Sequence, residues 1–276
     1  MNAEQMNKKR NFFRTLTMIC LCVEILAVVL LFTSQQALGL AIGLISFVAY
    51  FVVTRLGKRK INDLVARAQM KNLGLENDQY LGRQPVDKQK LAASELLPSR
   101  YVLDTPVFQH VAQGHMKGRE ITVGEVTLSF PRREGKQGRE FNNGAFVMTQ
   151  LKEKVKTPVV LLGNKPFMVS LTREDYAKDG YTQCPVGGKN KGWYVFTPGN
   201  EIPDEKLLSA WEKLSSAANG QAALAVRGKT VYAFFCSLFT TDLFQLSEEI
   251  TDADLKKRVF PHLPLLMDVF NALEEN

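Results

Sequence analysis

The sequence predicts an α+β protein in which an N-terminal transmembrane hairpin of two helices precedes a mixed, mainly antiparallel sheet domain with amphipathic helices. Two apolar runs of helical length lie near the N-terminus, at about residues 13–33 and 37–55. Beyond residue 106, short segments rich in β-branched and aromatic residues are interspersed with stretches of helical periodicity. We therefore expect three parts, which are a membrane hairpin (1–56), juxtamembrane helices (57–98) and a cytosolic α+β domain (99–276).

Each apolar run approaches the roughly 20 residues that a helix needs to cross the hydrocarbon core of a bilayer. Three uncharged polar residues, 34–36, separate the runs and predict a tight hairpin. Glu24 lies near the middle of the first run, where an ionised carboxylate costs about 2.5 to 3.5 kcal/mol and usually faces another helix. Ser46 and Tyr50 flank the opposite level, and hydrogen bonds from them to Glu24 would fix helix pairing. The alternative is a proton or ion pathway through Glu24 in an oligomer.

Gly39 and Gly43 form a GxxxG pattern in the second run, with Ser46 nearly on the same face. Small residues at this spacing allow two helix backbones to approach closely. The pattern predicts close packing either within the hairpin or between two copies of the chain.

Positive charge is concentrated beside the apolar runs. The net charge is +7, yet residues 72–276 hold 25 basic and 25 acidic side chains. Cytoplasmic flanks of membrane helices carry the positive bias, and here both outer flanks are basic while the turn is uncharged. We expect a multi-pass protein of the cell (inner) membrane, with both termini and the soluble domain in the cytoplasm. A neutral domain argues against nucleic-acid binding.

The second membrane helix is predicted to continue to Gly74, because Ile61, Leu64, Val65 and Ala68 recur at helical spacing. A short helix is expected over 87–97. The basic residues that we expect to contact anionic lipid head groups are Arg55, Lys58, Arg59, Lys60 and Arg67.

The segments 107–116 and 119–130 predict a β-hairpin that turns at Lys117 and Gly118. In the second strand the apolar alternation changes phase, which indicates a β-bulge at Gly124 with Glu125 beside it. Such a bulge is either structural or re-aims a functional side chain. Further strands are predicted at 141–151, 159–162, 167–171, 193–197, 222–226 and 230–236, and the continuous apolar run at 159–162 indicates a central strand covered on both faces. A loop is predicted at 131–139, and helices are predicted at 203–219, 252–259 and 265–273. The buried stripe of the first of these helices is expected to be Leu207, Leu208, Trp211 and Leu214.

Two segments, QGHMKGREITVGEVTLSF (113–130) and FNNGAFVM (141–148), follow the basic-flanked hairpin. In this combination the chain resembles the bacterial membrane proteins of the domain-of-unknown-function 3137 family (DUF3137). The matching positions are Gly114, Lys117, Gly118, Glu125, Phe141, Gly144, Phe146 and the segment 193–198. Between 172 and 191 the sequence departs from the family pattern. The resemblance implies a LemA-like or other envelope protein as a partner, and it implies no particular activity.

The sequence lacks the patterns of common active sites. His110 and His115 lie on opposite faces of one strand, His262 is remote, and there is no HExxH. The segment 187–189 resembles a phosphate-binding loop but lacks its first glycine and its Ser or Thr. We therefore predict no enzyme activity, no metal and no cofactor.

Together these features predict a membrane-anchored cytosolic binding or scaffold module that contacts membrane lipid and binds other envelope proteins. The chain could also form a homo-oligomer. The alternatives are an oligomeric transport or permeation component that uses Glu24, and a membrane-bound hydrolase with an unrecognised site.

Overall fold

The computed structural model describes residues 2–85, 96, 107–131, 139–165, 176–177, 179–236, 245–256 and 260–275. The chain divides into two compact units. The first comprises Met1–Asn72 and Thr241–Lys257, and the second comprises Leu73–Thr240 and Arg258–Asn276. The first unit thus continues past the apolar runs and includes a segment from near the C-terminus, which the division at residues 56 and 98 did not anticipate.

The described helices and strands are largely grouped along the chain, with two helices first and seven strands next. The helices are α1 (Ala3–Leu31), α2 (Gln36–Met70), α3 (Glu205–Ala217), α4 (Asp252–Lys256) and α5 (Leu263–Glu274). The strands are β1 (Glu76–Pro85), β2 (Val107–Met116), β3 (Arg119–Pro131), β4 (Arg139–Gln150), β5 (Val159–Gly163), β6 (Thr182–Gln183), β7 (Trp193–Thr197), β8 (Ala222–Arg227) and β9 (Thr230–Cys236). The protein is α+β, as predicted.

The first unit is built on the hairpin of α1 and α2. Asn2 caps α1, because its side chain accepts a hydrogen bond from the backbone N–H of Gln5 at 3.0 Å. The 35 residues of α2 span about 53 Å, whereas a bilayer core is about 30 Å thick. The predicted continuation of this helix beyond Arg55 is confirmed, and a 3₁₀ turn at Lys71–Leu73 follows it.

The second unit is built on one nine-stranded sheet with the order β1-β2-β3-β4-β9-β8-β5-β7-β6. Every strand pair among the described residues is antiparallel, so the expectation of a mixed sheet is corrected in that part of the chain. Strand β1 lies within the segment 57–98 that was predicted to be helical, which is a second correction. The predicted helix at 87–97, apart from Leu96, and the strand at 167–171 lie outside the described residues, as does most of the loop at 131–139.

Both faces of the sheet are covered. One face forms an apolar cluster that includes Val126, Leu128, Phe146 and Phe234. On the other face, the Phe270 ring of α5 lies 5.6 Å from the guanidinium carbon of Arg119. All five residues of β5 are buried, which confirms the prediction of a doubly covered central strand.

The predicted bulge lies on a different strand. Strand β3 pairs with β4 in unbroken register, whereas β2 places His110 and Val111 opposite the single residue Gly124. His110 has a φ of 53°. The phase change in β3 arises because Ile121 and Val123 are buried on one face and residues 126 and 128 on the other. A Cβ at Gly124 would lie 3.1 Å from Cγ2 of Val111, so the glycine makes room for the bulge, and the half-buried Glu125 pairs with Gln109.

Helix α3 begins after Asp204, whose carboxylate accepts a hydrogen bond from the backbone N–H of Lys206 at 2.6 Å. Of its predicted buried stripe, Leu207, Trp211 and Leu214 are buried, whereas Leu208 is only half-buried. Helix α5 is joined to the sheet by an ion pair of 2.7 Å between Arg119 and Glu274.

Candidate membrane anchor

The hairpin carries a broad apolar surface that no other part of its unit covers. Among the described residues, every exposed large apolar side chain except Ile202 lies between Phe12 and Leu56. Leu44 and Ile45 are 68% and 70% exposed. Both helices are long and apolar enough to cross a membrane, and little of either apolar stretch is buried. A water-soluble protein rarely leaves so continuous an apolar surface exposed.

The two helices pack closely at glycines. A Cβ on Gly39 would lie 2.9 Å from the carbonyl oxygen of Ala27, and a Cβ on Gly43 would lie 3.4 Å from the Ala27 Cβ. Both residues of the GxxxG pattern therefore face α1 of the same chain, and Gly39 has no room for a side chain. Gly57 also allows close packing, because a Cβ on this residue would lie 2.9 Å from Cγ of Phe13. The sequence analysis did not predict this contact.

The predicted polar pairing of Glu24 takes a different form. The hydroxyl of Ser46 is buried and donates its only proton to the carbonyl oxygen of Cys20 at 2.7 Å. The ring of Tyr50 lies edge-on to Phe51, with 5.7 Å between the centroids. Oε1 of Glu24 is buried and has no hydrogen-bond partner in the described part of the chain. Ser46 thus joins the helices through backbone, and Glu24 keeps one acceptor unused.

Below the apolar stretch, the hairpin packs against the segment 245–256, and we call this assembly the hairpin base. It comprises residues 3–11, 57–72 and 245–256. Its apolar cluster is formed by Met6, Ile61, Val65, Leu246 and Ile250.

Hydrogen bonds from carboxamides join the hairpin base together. Nδ2 of Asn7 donates to the carbonyl oxygen of Ile250 at 2.8 Å, and Oδ1 of Asn7 accepts from the Ile250 N–H at 3.1 Å. Gln69 donates to the carbonyl oxygen of Asp254 at 2.9 Å. Arg10, although buried, donates to the carbonyl oxygen of Glu248. These contacts anchor the returning segment through its backbone, and their only sequence signal is carboxamides set among apolar helical positions.

The basic residues predicted to meet lipid lie along α2. Arg55, Arg59, Lys60 and Arg67 are exposed, and Lys58 is half-buried. At 1.5 Å per residue, Lys60 lies about 8 Å and Arg67 about 18 Å beyond Arg55 along the helix axis. The five residues therefore do not form one layer.

The second unit holds a cavity of about 320 Å³ beside the first turn of α3 and the last turn of α5. Its polar groups bond to one another: the hydroxyl of Thr157 donates to the Glu201 carboxylate, and the hydroxyl of Thr197 donates to the Glu201 carbonyl oxygen at 2.8 Å. Sγ of Cys184 lies 3.2 Å from that same oxygen. These bonds fix the local turn at Glu201.

The three histidines lie at separate places in the second unit. Nδ1 of His110 lies 3.0 Å from the Tyr80 hydroxyl, and His115 is exposed. His262 stacks on Phe235 with 6.5 Å between ring centroids, and burial lowers its pKa. Within the described ranges, no three His, Cys, Asp or Glu side chains are grouped to hold a metal ion.

No protein-family model matches this chain, and no curated protein matches it either. Among solved structures, the chain is similar to the crystal structure of the mycobacterial trehalose monomycolate transport factor A, TtfA, with 10% sequence identity and a TM-score of 0.42. The likeness covers 77% of this chain and 94% of that chain. At this TM-score the likeness carries no argument about function.

Proposed function

We propose that this chain is a membrane-anchored binding module, in which α1 and α2 cross the bilayer as a hairpin and the cytoplasmic part of the chain binds another envelope protein. The observation that carries the proposal is the exposed apolar surface between Phe12 and Leu56. Lipid is the solvent in which such a surface is favourable. The DUF3137 resemblance supports the same role and suggests a LemA-like protein as the partner.

The charges argue for the orientation. Basic residues flank both outer ends of the hairpin, Arg14 at one and Arg55 at the other, and the turn carries none. In a membrane with a positive-inside bias, this pattern places both termini in the cytoplasm. Residues 55–60 then lie within about 8 Å of the hydrocarbon boundary, where anionic head groups attract Lys and Arg.

Cysteine accessibility tests the anchor and its orientation. In a variant with Cys22 replaced by Ser, Gln35→Cys should react with a membrane-impermeant maleimide only from outside intact cells. Glu212→Cys, at an exposed position of α3, should react only after the cells are opened. Labelling of both positions from the same side would refute the topology, and release of the protein by carbonate washing would refute the anchor.

Binding, as opposed to catalysis, predicts a stoichiometric protein partner. The full-length chain should be isolated from native membranes in mild detergent, and the mass of the intact complex measured. A second envelope protein at fixed stoichiometry is the expected result. A homo-oligomer without other proteins would contradict the scaffold role.

One observation favours a second candidate, a permeation role in an oligomer. Oε1 of Glu24 is buried near mid-membrane level without a partner among the described residues, and such carboxyl groups often serve transport. This candidate predicts a proton or ion flux across proteoliposomes that Glu24→Gln abolishes. Equal leak rates for the two proteins would eliminate it.

A further inference from the structure

The hairpin base contains a groove that the anchor itself does not need. The cavity has a volume of about 530 Å³, and we call it the base groove. Its apolar wall is formed by Met6, Leu64, Ala68 and Leu255. Its polar lining is formed by Lys9, Arg67, Lys71 and Asn72.

The charge of the base groove has one sign. In the part of the chain that the structure describes, its lining holds three cations and no carboxylate, and all three cations are exposed. Among the described residues, Lys9, Arg67 and Lys71 form no ion pair, whereas neighbouring Lys8 pairs with Glu4 at 2.9 Å. An apolar wall rimmed by exposed cations is complementary to an acidic, amphipathic ligand.

The position of the base groove along α2 distinguishes a soluble protein segment from a membrane lipid as the source of such a ligand. The head-group layer on each side of a bilayer is roughly 5 to 8 Å thick. Leu64 and Lys71 lie about 14 and 24 Å beyond Arg55 along the helix axis. If the hairpin crosses the membrane as proposed, Leu64, Arg67 and Lys71 lie deeper in the cytoplasm than lipid head groups reach, whereas Lys9, five residues from Arg14, lies at the edge of the head-group layer. A soluble segment is therefore favoured over a membrane lipid.

We propose that the base groove binds an acidic amphipathic helix of a partner protein, with apolar residues on Leu64 and Ala68 and carboxylates on the three cations. This inference rests on the proposed function, because it specifies where the binding module contacts its partner and which kinds of side chain the partner contributes. A helix that binds in a groove contacts it through residues at i, i+3 and i+4.

The test uses the full-length protein in phosphatidylcholine nanodiscs and a fluorescein-labelled helical peptide of about four turns, with leucines on one face and glutamates beside them. Fluorescence anisotropy gives the dissociation constant at low salt. A peptide with lysine in place of glutamate is the ligand control. Insertion into nanodiscs is checked first, so failure of the proposed anchor is distinguished from failure of the groove.

Two triple variants form a matched pair. Lys9→Gln with Arg67→Gln and Lys71→Gln removes three charges from the base groove. Lys58→Gln with Arg59→Gln and Lys60→Gln removes three charges from the same unit outside it. We expect roughly tenfold weaker binding for the first and less than about twofold change for the second.

Ala68→Phe fills the apolar wall without changing charge and should weaken binding similarly. If both triple variants lost the same amount of peptide affinity, the binding would depend only on the general positive charge of the unit, and the proposal would be overturned. Tight binding of the lysine peptide would also overturn it. If the groove triple variant instead loses only its preference for phosphatidylglycerol nanodiscs, the occupant is a lipid and the peptide assignment is wrong.

Discussion

The two units use the same apolar residue types in opposite ways. In the hairpin, Leu44 and Ile45 remain exposed, whereas in the sheet Leu224 and Phe234 are completely buried. The hairpin helices approach each other closely at glycines, and the sheet is stabilised by side-chain burial on two faces. What a leucine contributes to stability therefore depends on whether its surroundings bury it, and not on the residue type alone.

Buried polar groups differ in the same way. In the first unit, Ser46, Asn7 and Gln69 donate to backbone carbonyls. In the second, the buried charge of Arg119 is compensated by Glu274, and desolvation lowers the pKa of Arg119. The three neutral donors need no counter-charge, and in the same unit the buried cation of Arg10 also donates to a backbone carbonyl, that of Glu248.

The largest expected effect distinguishes a buried leucine from an exposed one. Leu224→Ala should reduce the free energy of unfolding of the sheet unit by about 2 to 5 kcal/mol, because it leaves a cavity. Leu44→Ala should leave it unchanged. Urea unfolding followed by tryptophan fluorescence measures this unit alone, since Trp193 and Trp211 both belong to it. Equal shifts for both variants would contradict the comparison.

The second prediction concerns helix contact in the hairpin. Gly39→Ala should destabilise helix pairing by about 1 to 3 kcal/mol, since its Cβ would press on the carbonyl of Ala27. Gly43→Ala meets an ordinary contact distance and should be close to neutral. Energy transfer between dyes at Arg14→Cys and Arg59→Cys, followed during titration with sodium dodecyl sulfate, measures the pairing. A larger loss at position 43 would disprove the packing described here.

A smaller effect is expected from the hydrogen bond of Ser46. Ser46→Ala should cost about 0.6 kcal/mol of hairpin stability, which is the average for hydrogen bonds between membrane helices. The exposed Ser34 in the turn supplies the control, and Ser34→Ala should have no effect. The same dye-labelled protein serves for both measurements. No difference between the two variants would remove Ser46 from the helix interface.

The smallest expected effect is a pH dependence confined to the sheet unit, which contains all three histidines. Burial lowers the pKa of His262 in the folded state, so the unfolded chain binds its proton more tightly. The contribution is complete above the ordinary pKa of about 6.5 and is lost as the pH falls through that value toward the lower folded pKa. His262→Phe should reduce this acid sensitivity in tryptophan-monitored unfolding, and an unchanged pH profile would exclude His262 as its source.

Sequence reasoning succeeded where the signal is local. Run length predicted α1 and α2 as apolar helices, and helical spacing predicted α3 with its stripe at Leu207, Trp211 and Leu214. Strand β1 was missed because it is largely polar and has three register shifts against β2, so neither alternation nor apolar content indicated a strand.

The candidate sites were harder to predict than the elements. The hydrogen bonds between Asn7 and Ile250 join residues 243 positions apart, and no local pattern predicts such a contact. The bulge was assigned to β3 from a phase change, but a sheet covered on both faces produces the same pattern. Ser46 was predicted to be a helix contact that donates to Glu24, but it donates to the backbone carbonyl of Cys20. The sequence alone does not show which of these two acceptors a serine on this helix face will use.

The division of the chain has a consequence for synthesis in the cell. Residues 73–240 belong to the second unit, while the first unit is completed only by the segment 241–257. At about 5 to 20 residues per second, the ribosome needs on the order of ten to forty seconds to pass from Asn72 to the end of α4. During that interval the hairpin is already made, but Met6, Ile61 and Asn7 await their partners. The apolar cluster of the newly made hairpin base therefore stays incomplete until Leu246 and Ile250 are made, and truncation before residue 245 would make that state permanent.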